Sequence, residues 1–539
     1  MSKRNPKQRR HSAKPHTPPA RAGSPRLKSP AKSVPALEYI FHPRSVALVG
    51  AATDPMHSWI NEFYIDPYAK FGYKGKVYAV NPKGGVAQGI KIYPSLRDVD
   101  GPIDQVISAV PARYNPQLVR ECRDRGVKLV QFFTAGFAET GDPEDITLQN
   151  QVVEIAKGSG MRLLGPNCMG LYCPSTKISF CVNYPQEPGP IGMISQSGSN
   201  CTFIIRSAVV RGLRFSKAVS YGNACDINEC DLLDYLTDDP ETKVIAAYIE
   251  GVRDGERFRR VLARAAASKP VVIYKGGYSE GGSRAAATHT GSLAGSYVAF
   301  ESLLRQVGAI PVKTVGEMTD VLVALLRMKP PRGLNLCAVG NGGGGSVLAT
   351  DEFERAGFTL PRIPPEIRER ICKLVPPAGS MTRNPIDASS LMGLEQGRLL
   401  QKTGWDGWEK YLWNARFQRG DGGMGDFIGV MDDWPGLDFL VLHCTIDSNP
   451  GSIVESFLTT GCGPLLRAAK DSRLPVATVI HLIANEESWM QSQKLRKLCI
   501  DSGLPLFLSM KGAARAILTL MEFDRQHPGM IAELQASLK

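Results

Sequence analysis

The predicted fold begins with the run Ser45-Val-Ala-Leu-Val-Gly-Ala51, a short apolar strand that ends in glycine. Four further strands of this kind follow, and helical stretches such as residues 115–126 and 146–158 separate them. The further strands are predicted at residues 76–83, 105–111, 129–136 and 161–167. Apolar strands that alternate with helices indicate a parallel sheet covered on both faces. Ligands of such sheets bind at the carboxyl ends of the strands.

Two more α/β units are predicted after the first. The run Ile191-Gly-Met-Ile-Ser-Gln-Ser197-Gly198-Ser199 has the pattern of a strand, a turn and a helix start, where hydroxyl and backbone N–H groups form an anion site. Strands at residues 244–250 and 270–275 follow. The run Leu334-Asn-Leu-Cys-Ala-Val-Gly340-Asn-Gly-Gly-Gly-Gly345 predicts a strand and a glycine turn before a helix at residues 346–356. Because a glycine run alone does not establish a dinucleotide site, we interpret it as the tight turn of a flavodoxin-like unit.

Changes in composition divide the chain into four predicted parts. Residues 1–36 form a basic tail, in which residues 1–34 contain ten Lys or Arg and no Asp or Glu. The net charge is +12, so the rest of the chain carries only +2 and gives no electrostatic reason to expect nucleic acid on the folded body. The tail lacks the apolar content to form a core, and we expect it to be disordered, with a polyanion-binding arm as the alternative. The folded units are predicted at residues 37–177, 178–329 and 330–539.

The composition is that of an ordinary globular protein, with 43% hydrophobic and 22% charged residues. No apolar run reaches 18 residues, so no membrane span is expected. The 12 cysteines are scattered, without CxxC pairs or zinc spacing, which indicates reduced cytoplasmic thiols and no metal site. Residues 404–436 are unusual because they hold Trp405, Trp408, Trp413 and Trp434. This insert is interpreted either as a lid or docking loop or as an elaboration packed on the third unit.

A histidine stands among small residues in the run Arg284-Ala-Ala-Ala-Thr-His289-Thr-Gly-Ser-Leu-Ala-Gly295. The small neighbours predict a bare loop from which an imidazole can reach outward. A histidine that attacks phosphorus must be neutral, and a carboxylate on its other ring N–H fixes the tautomer. The alternative is an incidental histidine in a strand-to-helix turn.

These motifs resemble the NDP-forming acyl-CoA synthetases, which are relatives of the succinyl-CoA synthetase alpha subunit. The run Thr288-His289-Thr290-Gly291-Ser292-Leu293-Ala294-Gly295 is similar to the phosphohistidine loop of that family, and matching segments extend over about residues 37–520. The resemblance implies a Rossmann-like CoA-binding domain followed by two flavodoxin-like domains. It implies that His289 carries phosphate and that Glu229 is the carboxylate that orients its ring, with Asp226 and Asp231 nearby as alternatives. The phosphoryl group would rest against Ser197, Gly198 and Ser199.

The resemblance also implies that CoA binds at the strand ends of the first domain. Small residues there let a nucleotide approach the backbone, and Lys83 could pair with a CoA phosphate. One segment departs from the family, which has a glycine after the positions of Asp54 and Pro55, whereas this chain has Met56-His-Ser-Trp59-Ile60. That change predicts an altered CoA pose or a domain that has lost its ligand. The implied CoA contacts are Gly50, Ala51, Thr53, Lys83, Val110, Pro111, Thr134, Ala135, Gly136 and Asn167.

The implied reaction forms acyl-CoA from a small carboxylic acid and CoA through acyl phosphate and phosphohistidine intermediates. The nucleotide step requires an ATP-grasp domain, and no such pattern is found in the sequence. We therefore expect a separate beta subunit that binds ATP or ADP and Mg, in a hetero-oligomer that interacts with neither membrane nor nucleic acid. Two alternatives remain open. One is a CoA-binding module that has lost phosphoryl transfer, and the other is a scaffold that uses the basic tail and the tryptophan-rich insert.

Overall fold

The computed structural model describes residues 35–54, 59–290, 296–340, 342–374, 381–388, 424–444, 462–481 and 486–538. These residues form three mixed, mostly parallel β-sheets with helices between the strands, so the predicted α/β class is confirmed. The basic tail, the loop at residues 55–58 and the tryptophans at positions 405, 408 and 413 lie outside the described residues.

The first sheet has seven strands in the order β3-β4-β2-β1-β5-β6-β7. All neighbouring strands are parallel except β3 and β4, which form an antiparallel pair that was not predicted. The strands are β1 Ser45–Val49, β2 Lys76–Val80, β3 Gly85–Ala87, β4 Ile90–Tyr93, β5 Gln105–Ser108, β6 Leu129–Phe132 and β7 Arg162–Leu164. Within β1, Val46 and Leu48 join one hydrophobic cluster and Ala47 joins another, so both faces of the sheet are covered.

The second sheet has six strands in the order β13-β12-β11-β9-β10-β8. They are β8 Gly170–Tyr172, β9 Ile191–Ser195, β10 Phe215–Ser220, β11 Val244–Ile249, β12 Val271–Lys275 and β13 Ile310–Val312. Only the edge strand β8 is antiparallel, to β10. Its residues precede the predicted domain boundary at residue 177.

The third sheet also has six strands, in the order β15-β16-β14-β17-β18-β19. They are β14 Leu336–Gly340, β15 Met381–Thr382, β16 Ile386–Asp387, β17 Phe439–Cys444, β18 Val476–Ile480 and β19 Leu506–Phe507. Only β15 is antiparallel, to β16. All three sheets therefore present the carboxyl ends of several parallel strands at one edge.

The helices that cover these sheets come mostly between successive strands. No helix in the described ranges has both the length and the apolar character needed to cross a membrane. The helices are α1 Pro35–Phe41, α2 Trp59–Tyr64, α3 Asp66–Phe71, α4 Asn115–Asp124, α5 Pro143–Ala156, α6 Gly198–Val209, α7 Glu229–Asp238, α8 Gly255–Ser268, α9 Glu280–Thr290, α10 Tyr297–Gln306, α11 Val315–Arg327, α12 Gly343–Arg355, α13 Pro365–Leu374, α14 Met424–Asp432, α15 Cys462–Ala469, α16 Glu486–Asp501, α17 Met510–Gln526 and α18 Met530–Ala536.

One hydrophobic core connects the second sheet to parts of the first and third. Helix α11, which follows β13, packs against α6 and α17, and α17 packs against α12. The C-terminal helix α18 is anchored to the same layer because the Gln535 side-chain amide donates to the backbone oxygens of Leu325 and Met328, at 3.1 and 2.8 Å. The last helices of the chain therefore hold the second and third sheets together.

The backbone of His289 does not lie in a loop, and that expectation was wrong. Residues Glu280–Thr290 form α9. The Ser279 hydroxyl accepts from Gly282 N at 3.1 Å, and Arg284 forms an ion pair with Glu280 at 2.8 Å. A serine at the helix start and a run of alanines favour a helix strongly enough to include the two early glycines.

The described end of the tryptophan-rich insert is part of the hydrophobic core. Helix α14 leads into β17, and Phe427, Met431 and Trp434 are buried together, with Trp434 only 4% exposed. This part of the insert matches the packed elaboration rather than a lid.

Candidate functional site

The carboxyl ends of β1 and β2 bring several predicted CoA contacts to one edge of the first sheet. The N–H groups of Gly50 and Ala51 donate to Val80 O at 2.9 and 3.2 Å. The side-chain amide of Asn81 donates to Ala51 O at 2.8 Å, and its oxygen accepts from Lys83 N at 3.0 Å. The backbone at these strand ends is therefore fixed, while the Lys83 side chain is exposed.

Gly50 is required by the close approach of β5. Its φ is +99°, and a Cβ there would lie 2.8 Å from the carbonyl of Ala109. Downstream of it, the buried Asn61 of α2 exchanges two hydrogen bonds with the backbone of Ala52, at 2.9 and 3.0 Å. Thr53 follows and is exposed. Helix α2 thus holds the start of the loop in which the chain departs from the resembled family.

The ends of β5, β6 and β7 continue the same edge. The Thr134 hydroxyl donates to Val110 O at 2.7 Å, and Asn167 N donates to Thr134 O at 3.0 Å. Pro111, next to Val110, is exposed at the start of a 3-10 turn. The structure therefore brings the predicted contacts of all five strand ends together.

A carboxylate accepts hydrogen bonds from the backbone N–H groups that follow β6. Ala135 is exposed, while Gly136 N and Phe137 N donate to one carboxylate oxygen of Glu139, at 2.6 and 3.2 Å. Successive N–H groups of this kind form an anion-binding concavity. Glu139 also accepts a hydrogen bond from the side-chain amide of Asn223, which follows β10. A CoA contact at the Gly136 N–H would have to compete with this internal carboxylate.

Trp59 is a residue at this edge that the sequence analysis did not assign to the site. Its side chain is 46% exposed and packs edge-on against Phe63 and Phe133, with ring centroids 6.2 and 5.9 Å apart. Phe133 immediately precedes Thr134, so Trp59 lies beside the predicted CoA contacts. The sequence signal that could have identified Trp59 is the departure from the family at residues 56–60, where the family has a glycine.

The start of α6, where the sequence predicts an anion site, lies at the carboxyl end of β9 in the second sheet. Ser197 is the N-cap residue, 3% exposed, and its hydroxyl accepts from Asn200 N at 3.3 Å and lies 3.1 Å from the Ser199 hydroxyl. Gly198 is required by packing, since a Cβ there would lie 2.4 Å from Met169 Cγ. Hydroxyl groups and the positive end of a helix therefore meet at the carboxyl end of β9.

Glu229 is the first residue of α7 and is only 4% exposed. Burial raises the pKa of its carboxyl group to about 7, against the opposing effects of its own backbone N–H and of Arg253. The two alternative carboxylates are engaged elsewhere. Asp226 accepts from Arg162 at 2.9 Å, and Asp231 pairs with the same arginine at 3.1 Å. Of these three carboxyl groups, Glu229 is the one that forms no ion pair among the described residues.

Helix α9, which carries His289, begins at the same edge of the second sheet. It follows β12, whose last residue Lys275 is in register with Ile249 of β11. Helix α9 also packs against the 3-10 turn Ala138–Thr140, which follows β6. The backbone of His289 therefore belongs to a helix that contacts the carboxyl edge of the first sheet as well as that of the second.

Buried polar side chains at this edge were not predicted from the sequence. The Gln196 side-chain oxygen accepts from Glu250 N, and Lys275 Nζ donates to Glu250 O at 2.6 Å. The Tyr221 hydroxyl is buried without a hydrogen-bond partner in the part of the chain that the structure describes. Burial raises the pKa of Tyr221, and the nearby Glu229 raises it further. Their positions directly after strands were the signal that could have identified them.

The third sheet carries a further cluster at its carboxyl edge. His443 in β17 is fully buried, and its Nε2 lies 3.3 Å from the Ser346 hydroxyl on α12. A Cβ at Gly340 would lie 2.2 Å from the imidazole ring. Burial lowers the pKa of His443 to about 4, an effect that His481 increases and Asp387 opposes. The glycine run that was predicted as a tight turn thus also makes room for a buried neutral histidine.

We expect His443 to make the stability of the protein sensitive to acid. The fold holds the imidazole neutral, whereas the unfolded chain binds a proton near pH 6.5. The neutral His443 ring therefore makes its full contribution to the free energy of unfolding above pH 6.5. That contribution falls by roughly 3 kcal/mol in total as the pH falls towards 4. Between about pH 7.5 and about pH 5, the urea midpoint should fall less in His443→Gln than in the wild type. His42→Gln changes a ring that is 45% exposed and serves as the control. An equal fall in His443→Gln would count against this assignment.

Two family models match the chain. The model described as a CoA binding domain matches residues 44–174, and the model described as a succinyl-CoA ligase like flavodoxin domain matches residues 188–325. The first range contains the strand ends of the first sheet. The second contains Ser197, Glu229 and His289.

Similar proteins cover most of the chain. It is 38% identical over 486 residues to the acetate–CoA ligase [ADP-forming] II subunit alpha of Pyrococcus furiosus. The alignment covers 90% of this chain and 97% of that protein. It is 37% identical to the acetate–CoA ligase [ADP-forming] I of Archaeoglobus fulgidus, over 65% of this chain and 50% of that relative. A solved structure of dinucleotide forming acetyl-coenzyme A synthetase 1 from Ca. Korarchaeum cryptofilum, in complex with phosphate and ADP, matches with a TM-score of 0.69 and 29% identity. It covers 93% of this chain and 99% of that one.

Proposed function

Because the chain belongs to the family of ADP-forming acetate–CoA ligase alpha subunits, we propose that it forms acyl-CoA from a small carboxylic acid and CoA, with phosphate carried on His289. The observation that supports this mechanism best is the buried Glu229 carboxyl group, whose pKa is raised to about 7. It lies at the sheet edge that also holds the Ser197 helix start and the beginning of the His289 helix.

The proposed reaction has three reversible steps, written here from acyl-CoA. A phosphate oxygen attacks the acyl carbon, the C–S bond breaks, and CoA leaves as the thiolate. A ring nitrogen of His289 then attacks the phosphorus of the acyl phosphate, the P–O bond to the acyl group breaks, and the carboxylate leaves. The phosphoryl group finally passes from His289 to ADP, which becomes ATP. In the opposite direction the same steps consume ATP and form acyl-CoA.

Glu229 is proposed to prepare His289 for the second step. An ionised carboxylate that accepts a hydrogen bond from one ring nitrogen holds the other nitrogen unprotonated and able to attack. It also offsets the positive charge that the ring gains when it is phosphorylated. The N–H groups and hydroxyls at the start of α6 are proposed to hold the oxygens of the phosphoryl group.

CoA is proposed to bind along the carboxyl edge of the first sheet. The close approach of β1 to β5 at Gly50 leaves a small, fixed backbone surface there, and Lys83 adds an exposed cation. Trp59 offers an exposed aromatic face at the same edge. The contact of α9 with the turn Ala138–Thr140 would keep the thiol end of CoA near the histidine helix.

The nucleotide step is proposed to take place on a separate partner subunit of the ATP-grasp type that binds ADP or ATP and Mg. The Pyrococcus furiosus relative is called a subunit alpha, and this chain covers 97% of it. The Archaeoglobus fulgidus relative is a single chain of which this one spans only half. A partner chain that supplies the other half accounts for both observations.

The test is reconstitution in two stages. The chain alone, with acyl-CoA and radioactive phosphate, should gain one phosphoryl group. It should pass that group to ADP only after the partner subunit is added. Formation of ATP without the partner would refute the proposed division of labour. The absence of labelling, with CoA binding intact, would instead favour a CoA-binding module without phosphoryl transfer.

Lys83→Ala is expected to weaken CoA binding by about tenfold or more, because a charge-assisted contact with a phosphate contributes about 1.5–3 kcal/mol. Calorimetric titration with CoA measures the change. Lys76→Ala is the matched control, since Lys76 is exposed at the opposite end of the same strand. Equal CoA affinities for Lys83→Ala and the wild type would mean that CoA does not contact Lys83.

A further inference from the structure

Two guanidinium groups are buried where the turn after α6 packs against α16. A Cβ on Gly212 in that turn would lie only 2.4 Å from Ile500 Cγ2 of α16. Arg211 follows α6, Arg496 lies on α16, and each residue is only 6% exposed. Arg211 forms a buried ion pair with Asp320 on α11. Asp320 in turn lies against Gly512 in the first turn of α17, where a Cβ would be 2.4 Å from its carboxylate oxygen. The positive end of α17 therefore adds to the positive charge of this region.

Within the described residues, no carboxylate balances the charge of Arg496. Its one hydrogen bond within the described residues joins a terminal nitrogen to His481 O at 3.4 Å, and it forms no ion pair there. The Nε atoms of Arg496 and Arg211 are both buried without hydrogen-bond partners in the same part of the chain. Burial lowers the pKa of Arg496, and the neighbouring Arg211 lowers it further. Buried charges are normally paired, and an unpaired one destabilises the fold.

This cluster stands apart from the proposed reaction site. Ser197 caps the amino end of α6, whereas Arg211 comes just after its carboxyl end. A helix of 12 residues is about 18 Å long. An anion held by Arg211 therefore cannot also be the one held at the start of α6.

We propose that Arg211 and Arg496 form a second anion site, which takes a small oxyanion of the phosphate or carboxylate class. The planar guanidinium presents paired N–H donors that match two oxygens of such an anion. The two guanidinium groups and the Asp320 carboxylate together carry a net charge of +1, which one bound anion would balance. The bound oxyanion joins α16 of the third sheet to the turn after α6 of the second. It therefore stabilises the contact between the two sheets, independently of the proposed phosphoryl transfer.

The test is the melting temperature of the full chain as inorganic phosphate replaces chloride at constant ionic strength. The wild type should rise by about 2–5 °C and then saturate. Arg496→Met should lose this rise, and in chloride alone it should melt no lower than the wild type, because an unbalanced buried cation has been removed. Lys497→Met, at an exposed position on the same helix, should keep the rise. Ser197→Ala, which removes a hydroxyl from the proposed phosphoryl site at the start of α6, should also keep the rise, so the two sites are distinguished.

Titration with acetate identifies the source of the oxyanion, because the anion with the lower midpoint is the better ligand. A wild type that does not respond to either anion, or an Arg496→Met variant that responds as the wild type does, would overturn the proposal. If Arg496→Met does not fold, Arg496→Lys is the variant to test, since lysine keeps the positive charge but lacks the paired N–H donors of the guanidinium group. The phosphate concentration at half of the rise in melting temperature should increase about tenfold in Arg496→Lys, and an unchanged concentration would contradict the proposed site.

Discussion

His289→Ala should abolish phosphoryl labelling and acyl-CoA turnover while leaving CoA affinity near that of the wild type. Alanine has no nitrogen that can accept phosphate, and the proposed CoA contacts lie at the edge of the first sheet. The label on the wild type should be acid-labile and base-stable, as a phosphoramidate is and a phosphoserine is not. Calorimetry with CoA on the same preparation shows whether the variant is folded and binds its substrate.

Two serines serve as controls for the position of the label. Ser197→Ala and Ser199→Ala remove hydroxyls at the start of α6 but leave His289 in place. Both variants should still be labelled, although more slowly. A label that survives in His289→Ala, or that maps to either serine, would defeat the phosphohistidine mechanism.

Glu229→Gln should slow labelling by about 10²-fold or more, because the imidazole loses its charged partner. The wild-type rate should also rise through pH 7. Burial raises the pKa of Glu229 to about 7, so the carboxyl group is mostly protonated below that pH and ionised above it. The amide of glutamine does not ionise, so the variant should lack this rise.

Single-turnover labelling from acyl-CoA and phosphate, measured between about pH 6 and about pH 8.5, tests both statements. Glu256→Gln is the control, since this side chain is 72% exposed at the start of α8. It should keep the wild-type rate and its pH dependence. A Glu229→Gln variant with an unchanged pH profile would show that another group controls the rate.

Several strands could be predicted from the sequence because most of their residues are apolar. β1, β9 and β11 are of this kind, and each was predicted within a few residues. β10 was missed because half of Phe215–Ser220 is polar, with a lysine and two serines. Lys217 is nevertheless only 1% exposed as a side chain, because Asp239 pairs with it at 3.0 Å. A partner more than twenty residues away cannot be identified from a local pattern.

The candidate site was predictable to a similar extent. Glu229 was identified through its position in a motif, but its raised pKa depends on burial by parts of the chain that are distant in sequence. Tyr221 and His443 were missed because the strand before Tyr221 and the strand that holds His443, β10 and β17, were not predicted. The glycines near His289 favour a loop, and a loop was therefore predicted there. The alanines and the serine cap stabilise a helix instead.

The edge strand Gly170–Tyr172 determines where relatives of this chain can be recombined. It lies before the predicted boundary at residue 177, yet it pairs with Ala218–Ser220 of the second sheet. A chimera joined at that boundary would combine an edge strand from one parent with β10 from the other. Tyr172, whose ring lies 6.5 Å from Phe215 and 5.0 Å from Tyr184, would then have to fit a foreign core. A crossover before Gly170 keeps these native pairs within one parent, so functional hybrids should be recovered from that side of the strand.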